Sequence, residues 1–256
     1  MRSLVAGWLL VCSLFFGGCQ KDIEAEPGGG PGVPTTTPVT NSTLVKTYTE
    51  DVKSATLGNI KTTFALTYDA SERLLSAVSA TNAGDKFVYQ YPTVNTYILD
   101  IYNSNTVVIH VLHFIGSNGQ LDSMVQYNNT FDTSSEKYSY NASKQLLQKK
   151  EYDIVSGASI LTNTSAYQYD ANSNVTSEVS TSGDRTTYTY TNLLNTLNLG
   201  KTSQLQNKHL EQTTTHTTGG VSVVLTHSYT FDSSNRLSTA TTTNPNGDVA
   251  TRTYTY

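Results

Sequence analysis

A short phrase recurs along this chain and limits what the chain can fold into. It reads YDASERL from Tyr68, YNASKQL from Tyr140, YDANSNV from Tyr169 and FDSSNRL from Phe231. A fifth form, FIGSNGQL from Phe114, carries one extra residue. Each copy ends an alternating stretch on an aromatic, crosses polar residues and restarts on Leu or Val. Asp69, Asn141, Asp170 and Asp232 open the polar part, where such a side chain can accept from the backbone amide two residues on. The position before the Arg, Gln or Asn calls for positive φ. Gly119 and Asn235 suit it; Glu72, Lys144 and Ser173 suit it less, and predict a longer or different turn. The phrase is scaffold rather than an active-site motif.

A second punctuation alternates with the first: GDKFVYQY from Gly84, GDRTTYTY from Gly183 and NGDVATRTYTY from Asn246. The Gly84-Asp85, Gly183-Asp184 and Gly247-Asp248 pairs are turn signals. Between turns the period is two. Phe64, Leu66 and Tyr68 share one strand face, as do Phe87, Tyr89 and Tyr91, Tyr188 with Tyr190, and Tyr254 with Tyr256. A single apolar face implies antiparallel sheet. The run VVIHVLHF (107–114) is apolar on both faces and predicts the most buried strand. Leu74 and Leu237 lie ten residues before Gly84 and Gly247, which fits a strand of about 8 residues plus its turn. The fold class is therefore all-β: an antiparallel up-and-down meander of roughly a dozen or more strands. Such a sheet must curl into a barrel-like form or double over to bury its face and protect its edges. No strong amphipathic helix is present; residues 193–210 hold a short helix or a long connection.

Charged residues make up 14% of the 256, against roughly a quarter in ordinary soluble domains. Tyr is abundant at 17, and β-branched residues are many, which argues for strands over disorder. The net charge is -4 and no Lys/Arg run appears, so nucleic acid is not a partner this sequence is built to grip.

The first residues read MRSLVAGWLLVCSLFFGGC: a basic start at Arg2, then an apolar run over 4–16 that is too short to span a bilayer and suits a secretory signal. With Gly17, Gly18 and Cys19 this resembles a bacterial lipobox, with Phe16 where Leu is commoner. The resemblance implies a signal peptide over 1–18 and a lipid on the Cys19 thiol; the alternative is an ordinary signal that contains a cysteine. Cleavage would remove Cys12 and Trp8, leaving Cys19 as the one cysteine, so no intramolecular disulfide can form. Gln20, Lys21, Asp22 and Glu24 resemble the export signal that sends some Gram-negative lipoproteins to the outer face of the outer membrane; a plain solvated cluster is the alternative. Four of the six prolines fall between 27 and 43 among Gly and Thr. Residues 19–43 thus form anchor and tether, reaching about 3 Å per extended residue, and 44–256 form a single β domain.

The turns carry two family resemblances. G-x-x-x-x-Y-x-Y paired with Y-D-x-x-G-R-L resembles the tyrosine-aspartate repeats of large bacterial shell-forming proteins, although the spacing here is irregular and the glycine-arginine form is missing. TTYTYTNLLNTLNLGKTSQL from Thr186, with SYTFDSSNRLSTATTTNPNGDVATRTYTY from Ser228, resembles the C-terminal half of a family of bacterial outer-membrane lipoproteins of unknown function with a porin-like fold. That resemblance implies a barrel-like antiparallel sheet and leaves activity open. The Thr-rich faces speak against a membrane-spanning barrel, whose lipid-facing positions must be continuously apolar.

Several short matches point to chemistry and are better explained without it. GKTS from Gly200 has the end of a phosphate loop, but Asn195 stands where the earlier glycine belongs. Asp170, Asn172 and Asn174 have the spacing of early calcium ligands, but Val175 replaces the glycine. Ser134 and Lys137 form S-x-x-K, which needs a helix, ahead of a Tyr-x-Tyr strand end. His110 and His113 face opposite sides of one strand, and His209, His216 and His227 fall on separate segments, so no metal spacing emerges. Asp69, Asp85, Asp170, Asp184, Asp232 and Asp248 could supply a glycosidase pair only if two converged across a cleft; their turn roles account for all six. Tyrosine rows can stack on sugars, but filling the buried face is the simpler role. No cofactor is implied. The leading reading is a lipid-anchored, non-enzymatic surface protein that binds an extracellular glycan or protein or serves structurally. A glycan hydrolase comes second and a pore third, with a periplasm-facing placement as the alternative to display.

Overall fold

The computed structural model describes residues 43–128, 133–197, 199 and 207–256. Among them run 16 strands and no helix. In chain order these are β1 (Thr47–Ser54), β2 (Gly58–Tyr68), β3 (Leu74–Ser79), β4 (Lys86–Thr93), β5 (Thr96–Asn103) and β6 (Thr106–Ile115). Next come β7 (Leu121–Asn128), β8 (Thr133–Tyr140), β9 (Leu146–Val155), β10 (Ala158–Tyr169) and β11 (Val175–Ser180). The last are β12 (Arg185–Leu194), β13 (His209–Thr218), β14 (Val221–Phe231), β15 (Leu237–Thr243) and β16 (Val249–Thr255). Each strand pairs antiparallel with its neighbours in sequence, and β1 pairs with β16, so the meander closes into a barrel. An open sheet of this width would leave two long edges; closure removes both.

Because the strands run up and down, the two turn families separate to opposite ends. The recurring aromatic-Asx phrase supplies the β2–β3, β6–β7, β8–β9, β10–β11 and β14–β15 turns, all at one end, here the tyrosine end. The Gly-Asp pairs supply the β3–β4, β11–β12 and β15–β16 turns at the other, the glycine end. All five phrase turns adopt one conformation. Glu72, Lys144, Ser173 and Asn235 have φ of 62°, 60°, 66° and 59°, and Gly119 has 79°. The expectation of a different turn at Glu72, Lys144 and Ser173 is thus overturned: the tertiary frame holds non-glycine residues left-handed, at a cost of about 1 kcal/mol each. A register shift precedes every one of these turns, between Thr67 and Tyr68, for example, and between Phe114 and Ile115. FIGSNGQL carries no extra residue: Ile115 pairs with Leu121 as Tyr68 pairs with Leu74, and Gly116 takes the place of Asp69.

Side chains alternate between interior and outer wall. Interior positions on β1 to β7 are mostly apolar and sealed: Phe64, Ala77, Phe87, Leu99, Ile101 and Val111 are buried, with Glu50 and His113 buried among them. Phe64 and Phe87 meet edge to face at 5.6 Å, an arrangement that stabilises by about 0.5–1.5 kcal/mol beyond the area it buries. The run 107–114 is not the most deeply buried strand. Only Val111 and His113 of β6 are buried, and Phe114 is 40% exposed, because its second apolar face lies on the outer wall. Strands β3 and β15 have six and seven residues rather than about eight, with longer turns making up the interval.

The tyrosine end is covered. Leu44 and Val45 are buried there, and Leu197 and Leu199, from the β12–β13 connection, pack on the same core. That connection ties to two other strands: Thr196 Oγ1 accepts from the Leu237 amide at 3.0 Å and Asn207 Oδ1 from the Val175 amide at 3.0 Å. The described part of 193–210 is therefore a long connection, with no helix.

Candidate functional site

The strand-ending tyrosines form a ring of hydrogen bonds just inside the covered end. Each hydroxyl donates to a carbonyl at the start of the preceding strand: Tyr68 to Val45 at 2.8 Å, Tyr91 to Leu74 at 2.8 Å, Tyr140 to Leu121 at 2.8 Å and Tyr169 to Leu146 at 3.0 Å. Tyr190 bonds Val175 at 2.6 Å, Tyr229 bonds Glu211 at 2.8 Å and Tyr256 bonds Leu237 at 3.1 Å. These rings are half-buried or buried and committed to the scaffold. In two repeats the turn arginine joins them. Arg73 binds Asp69 at 2.7 Å and lies 4.2 Å over the Tyr91 ring; Arg236 binds Asp232 at 2.7 Å and lies 4.3 Å over Tyr256.

The aspartates named from the sequence do turn work at both ends. Asp69, Asp170 and Asp232 each accept from two backbone amides of their own turn, and Asn141 accepts from the Gln145 amide. Hydrogen bonds hold the Asp170 and Asp232 carboxyls below the ordinary range, outweighing what little burial there is. At the glycine end each aspartate reaches a neighbouring hairpin. Asp85 accepts from the Ser104 amide at 2.8 Å and Asp248 from the Ala55 amide at 3.2 Å, while Asp184 accepts from Ser182 and Thr218. Gly183 and Gly247 supply positive φ of 88° and 91°. Gly84 serves close approach instead: a Cβ there would stand 3.0 Å from the Asn105 nitrogen. Asp69, Asp170 and Asp232 thus lie at the tyrosine end and Asp85, Asp184 and Asp248 at the glycine end, each engaged in turn hydrogen bonds.

The other short matches resolve as structure. Asp170, Asn172 and Asn174 form an Asx turn, with the Asn174 amide side chain donating to Asp170 at 2.9 Å. Ser134 and Lys137 lie on β8, facing opposite sides. His110 is on the outer wall, 2.5 Å from Asp100; His113 is inside, stacked on Tyr97 at 4.0 Å, where burial pushes it down to about 3. His209 and His216 share β13, against the expectation of separate segments. Among the described residues no group of three or more His, Cys, Asp or Glu could hold a metal ion. Cys19, Gln20, Lys21, Asp22 and Glu24 lie outside the described residues, as does GKTS (200–203).

What the fold does bring together is a set of glutamates inside the barrel. Glu136 on β8 and Glu151 on β9 are direct register partners, and Glu151 in turn faces Asn163 on β10. Facing pairs of this kind have Cβ atoms about 5 Å apart. Lys149 sits 2.6 Å from Glu151, Tyr138 donates to Glu136, Asn163 donates to Glu151 at 2.8 Å, and Tyr167 donates to Glu178 at 2.9 Å. Burial pushes Glu136 up, more than Lys149 and Tyr138 pull it down. Burial also pushes on Glu151, but Lys149 and Asn163 outweigh it and hold that carboxyl low. A second polar group lines β13, β14 and the β1–β16 seam: Glu211, raised by burial, with Thr214, His227 and the Arg252–Glu50 pair at 3.2 Å. Burial, Arg252 and His216 bring His227 down to about 4. Lys149, Glu151, Glu211 and Arg252 keep between 22% and 32% of their side-chain surface. Water therefore reaches this half of the interior, while the β1–β7 half is packed shut.

The glutamates had a signal in the sequence. Glu136 stands two residues before Tyr138, Arg252 two before Tyr254 and Glu50 two after Tyr48, in phase with inward-pointing tyrosines. A charge in that phase must face the interior.

These features define a closed antiparallel barrel, covered at one end and lined on half its inner wall by ionisable groups. A porin-like protein from Bacteroides uniformis ATCC 8492 has a similar fold, with a TM-score of 0.62 at 12% identity over 82% of this chain and 97% of that one. A porin-like protein from Bacteroides vulgatus ATCC 8482 aligns over 83% of this chain and 98% of its own at 14% identity, with a TM-score of 0.49. No family model and no curated protein matches the sequence.

Proposed function

We propose that this protein is a lipid-anchored barrel of the outer membrane, displayed on the cell surface, that binds an extracellular glycan or protein without catalysing a reaction. The observation that carries this reading is the outer wall. From β12 round through β16 to β2 it is set with threonine, and its hydroxyls bond to one another across strands, as in Thr49–Thr63, Thr189–Thr213 and Thr230–Thr239. Lys61, Lys137 and Arg185 face the same way. A barrel that spans a bilayer needs a continuous apolar belt there, so attachment falls to the lipid that the Cys19 motif implies. Residue 44 enters at the covered tyrosine end, which turns the glycine end away from the anchor. Protease shaving of intact cells expressing the full-length protein tests display. The domain should disappear while a periplasmic control survives; survival until the outer membrane is broken would place it inside.

The Glu136–Glu151 pair favours a second reading as a glycan hydrolase, since a raised and a lowered carboxyl facing each other suit an acid and a nucleophile or base. Against it, Tyr138, Lys149 and Asn163 already engage both groups. Assay of chromogenic glycosides with the wild type and Glu136→Gln decides this: turnover abolished by the substitution would move the hydrolase forward.

A further inference from the structure

Among the described residues, three hairpins at the glycine end stand above their neighbours, because β3, β11 and β15 are short. The pairing of β2 with β3 stops at Phe64, that of β10 with β11 at Ser165 and that of β14 with β15 at Thr226. The Thr63 and Thr164 carbonyls still accept from the Ala80 and Thr181 amides. Beyond these each longer strand is paired on one side only, and a strand edge is a template for another strand. Two of the three edges carry protection. The β2 edge (58–62) bears Lys61, and the β10 edge (158–163) is broken by a bulge between Leu161 and Asn163. The β14 edge (221–225) has neither. It reads VSVVL, it is uncharged, its ladder to β13 is regular, and Val221, Val223 and Val224 are 70%, 40% and 41% exposed.

We propose that the free edge of β14 is a docking site for an extended, uncharged, apolar strand of another protein, added antiparallel or parallel as one more rung of the sheet. The edge offers backbone amides and carbonyls in register, so its complement is a polypeptide backbone; the valines on either face select β-branched or aliphatic side chains. The chain's own N-terminal segment does not fit. Pro31, Pro34 and Pro38 remove the donors a ladder needs. A second copy paired antiparallel would join two barrels glycine end to glycine end with both anchors at the far ends, which one membrane does not favour. This inference names the partner class for the displayed, ligand-binding reading, and its test is independent of display.

The probe is a fluorescein-labelled peptide, KTVTVTVTK, titrated by anisotropy into the full-length protein in detergent micelles. Saturable binding is expected, weakened at least about tenfold by Val223→Lys/Val224→Lys and by N-methylation of alternate peptide amides. Both substitutions fall on exposed side chains, and an unchanged melting curve verifies the fold. Equal binding of the methylated peptide, equal binding by the lysine variant, or no saturation up to about 1 mM overturns the site. So does sedimentation of the wild type as a dimer that the lysine variant splits, since a second copy would then hold the edge. Any of these leaves the shaving result untouched.

Discussion

Asp170 shows how much a single turn residue carries. One oxygen accepts from the amides of Asn172 and Asn174, both at 2.8 Å, and the other from the Asn174 side chain. Asn174 is itself buried and accepts from the His209 amide at 3.0 Å, so the turn also fixes where β13 begins. Asp170→Ala should cost about 1–3 kcal/mol in urea unfolding, the range for buried donors left without an acceptor. Its carboxyl is held below its ordinary 3.8, so the stability it adds is present above that pH and is lost as pH falls through the lower folded value. Asp170→Ala should accordingly soften the acid limb below pH 3.8, read from melting temperature against pH. Glu136 has the opposite sign. Burial raises it above its ordinary 4.5, so the folded state keeps a proton that the unfolded chain has released. Stability falls as pH rises from 4.5 through the folded value, and Glu136→Gln should remove that fall. A wild type and variant with parallel pH profiles above 4.5 would contradict this.

At the scale of strands and turns, the tyrosine ring does what a single turn cannot: it ties each hairpin's last residues to its first. Tyr91→Phe and Tyr190→Phe keep the aromatic ring but remove the hydroxyl that donates to the Leu74 and Val175 carbonyls. Each should cost about 1 kcal/mol in urea unfolding. Because β4 and β12 share no pairing, the double variant should lose about the sum. Strand ends and turn positions were legible in the sequence, since Asx side chains and Gly-Asp pairs act through neighbours in the chain; the shared left-handed turn at Glu72, Lys144 and Ser173 was not, because the frame around it imposes it. The hydroxyl partners were not: the bonds join Tyr190 to Val175 but Tyr169 to Leu146, spacings of 15 and 23 that follow strand length. The run 107–114 misled for a related reason. Two apolar faces mark burial in a layered sheet, but in a barrel one of them is the outer wall, where Phe114 stands exposed.

For the whole molecule the deciding contact is the one farthest apart in sequence. The alternating pattern and the width of the sheet pointed to curling; closure itself depends on how β1 meets β16, which no local pattern encodes. There Tyr48 faces Tyr254 at 5.7 Å and Glu50 faces Arg252 at 3.2 Å, each pair in direct register. The grouping of Glu136 with Glu151 was hidden by the same dependence on long-range register, although their inward phase could be read. Glu50 keeps 4% of its side-chain surface and Arg252 keeps 23%, so the pair tests what closure rests on. Removing Arg252 strands the buried Glu50 charge inside the barrel, which costs about 3–5 kcal/mol, whereas removing Glu50 leaves a partly hydrated Arg252 and costs less. Glu50→Leu should show the smaller loss in equilibrium unfolding and Arg252→Met the larger. The double variant leaves no charge to strand and puts apolar volume against Tyr48 and Tyr254, so it should recover most of it. A double variant that costs as much as the costlier single one would mean that the ion pair itself, rather than the packing of the seam, holds β1 to β16, since both substitutions would then remove the same interaction.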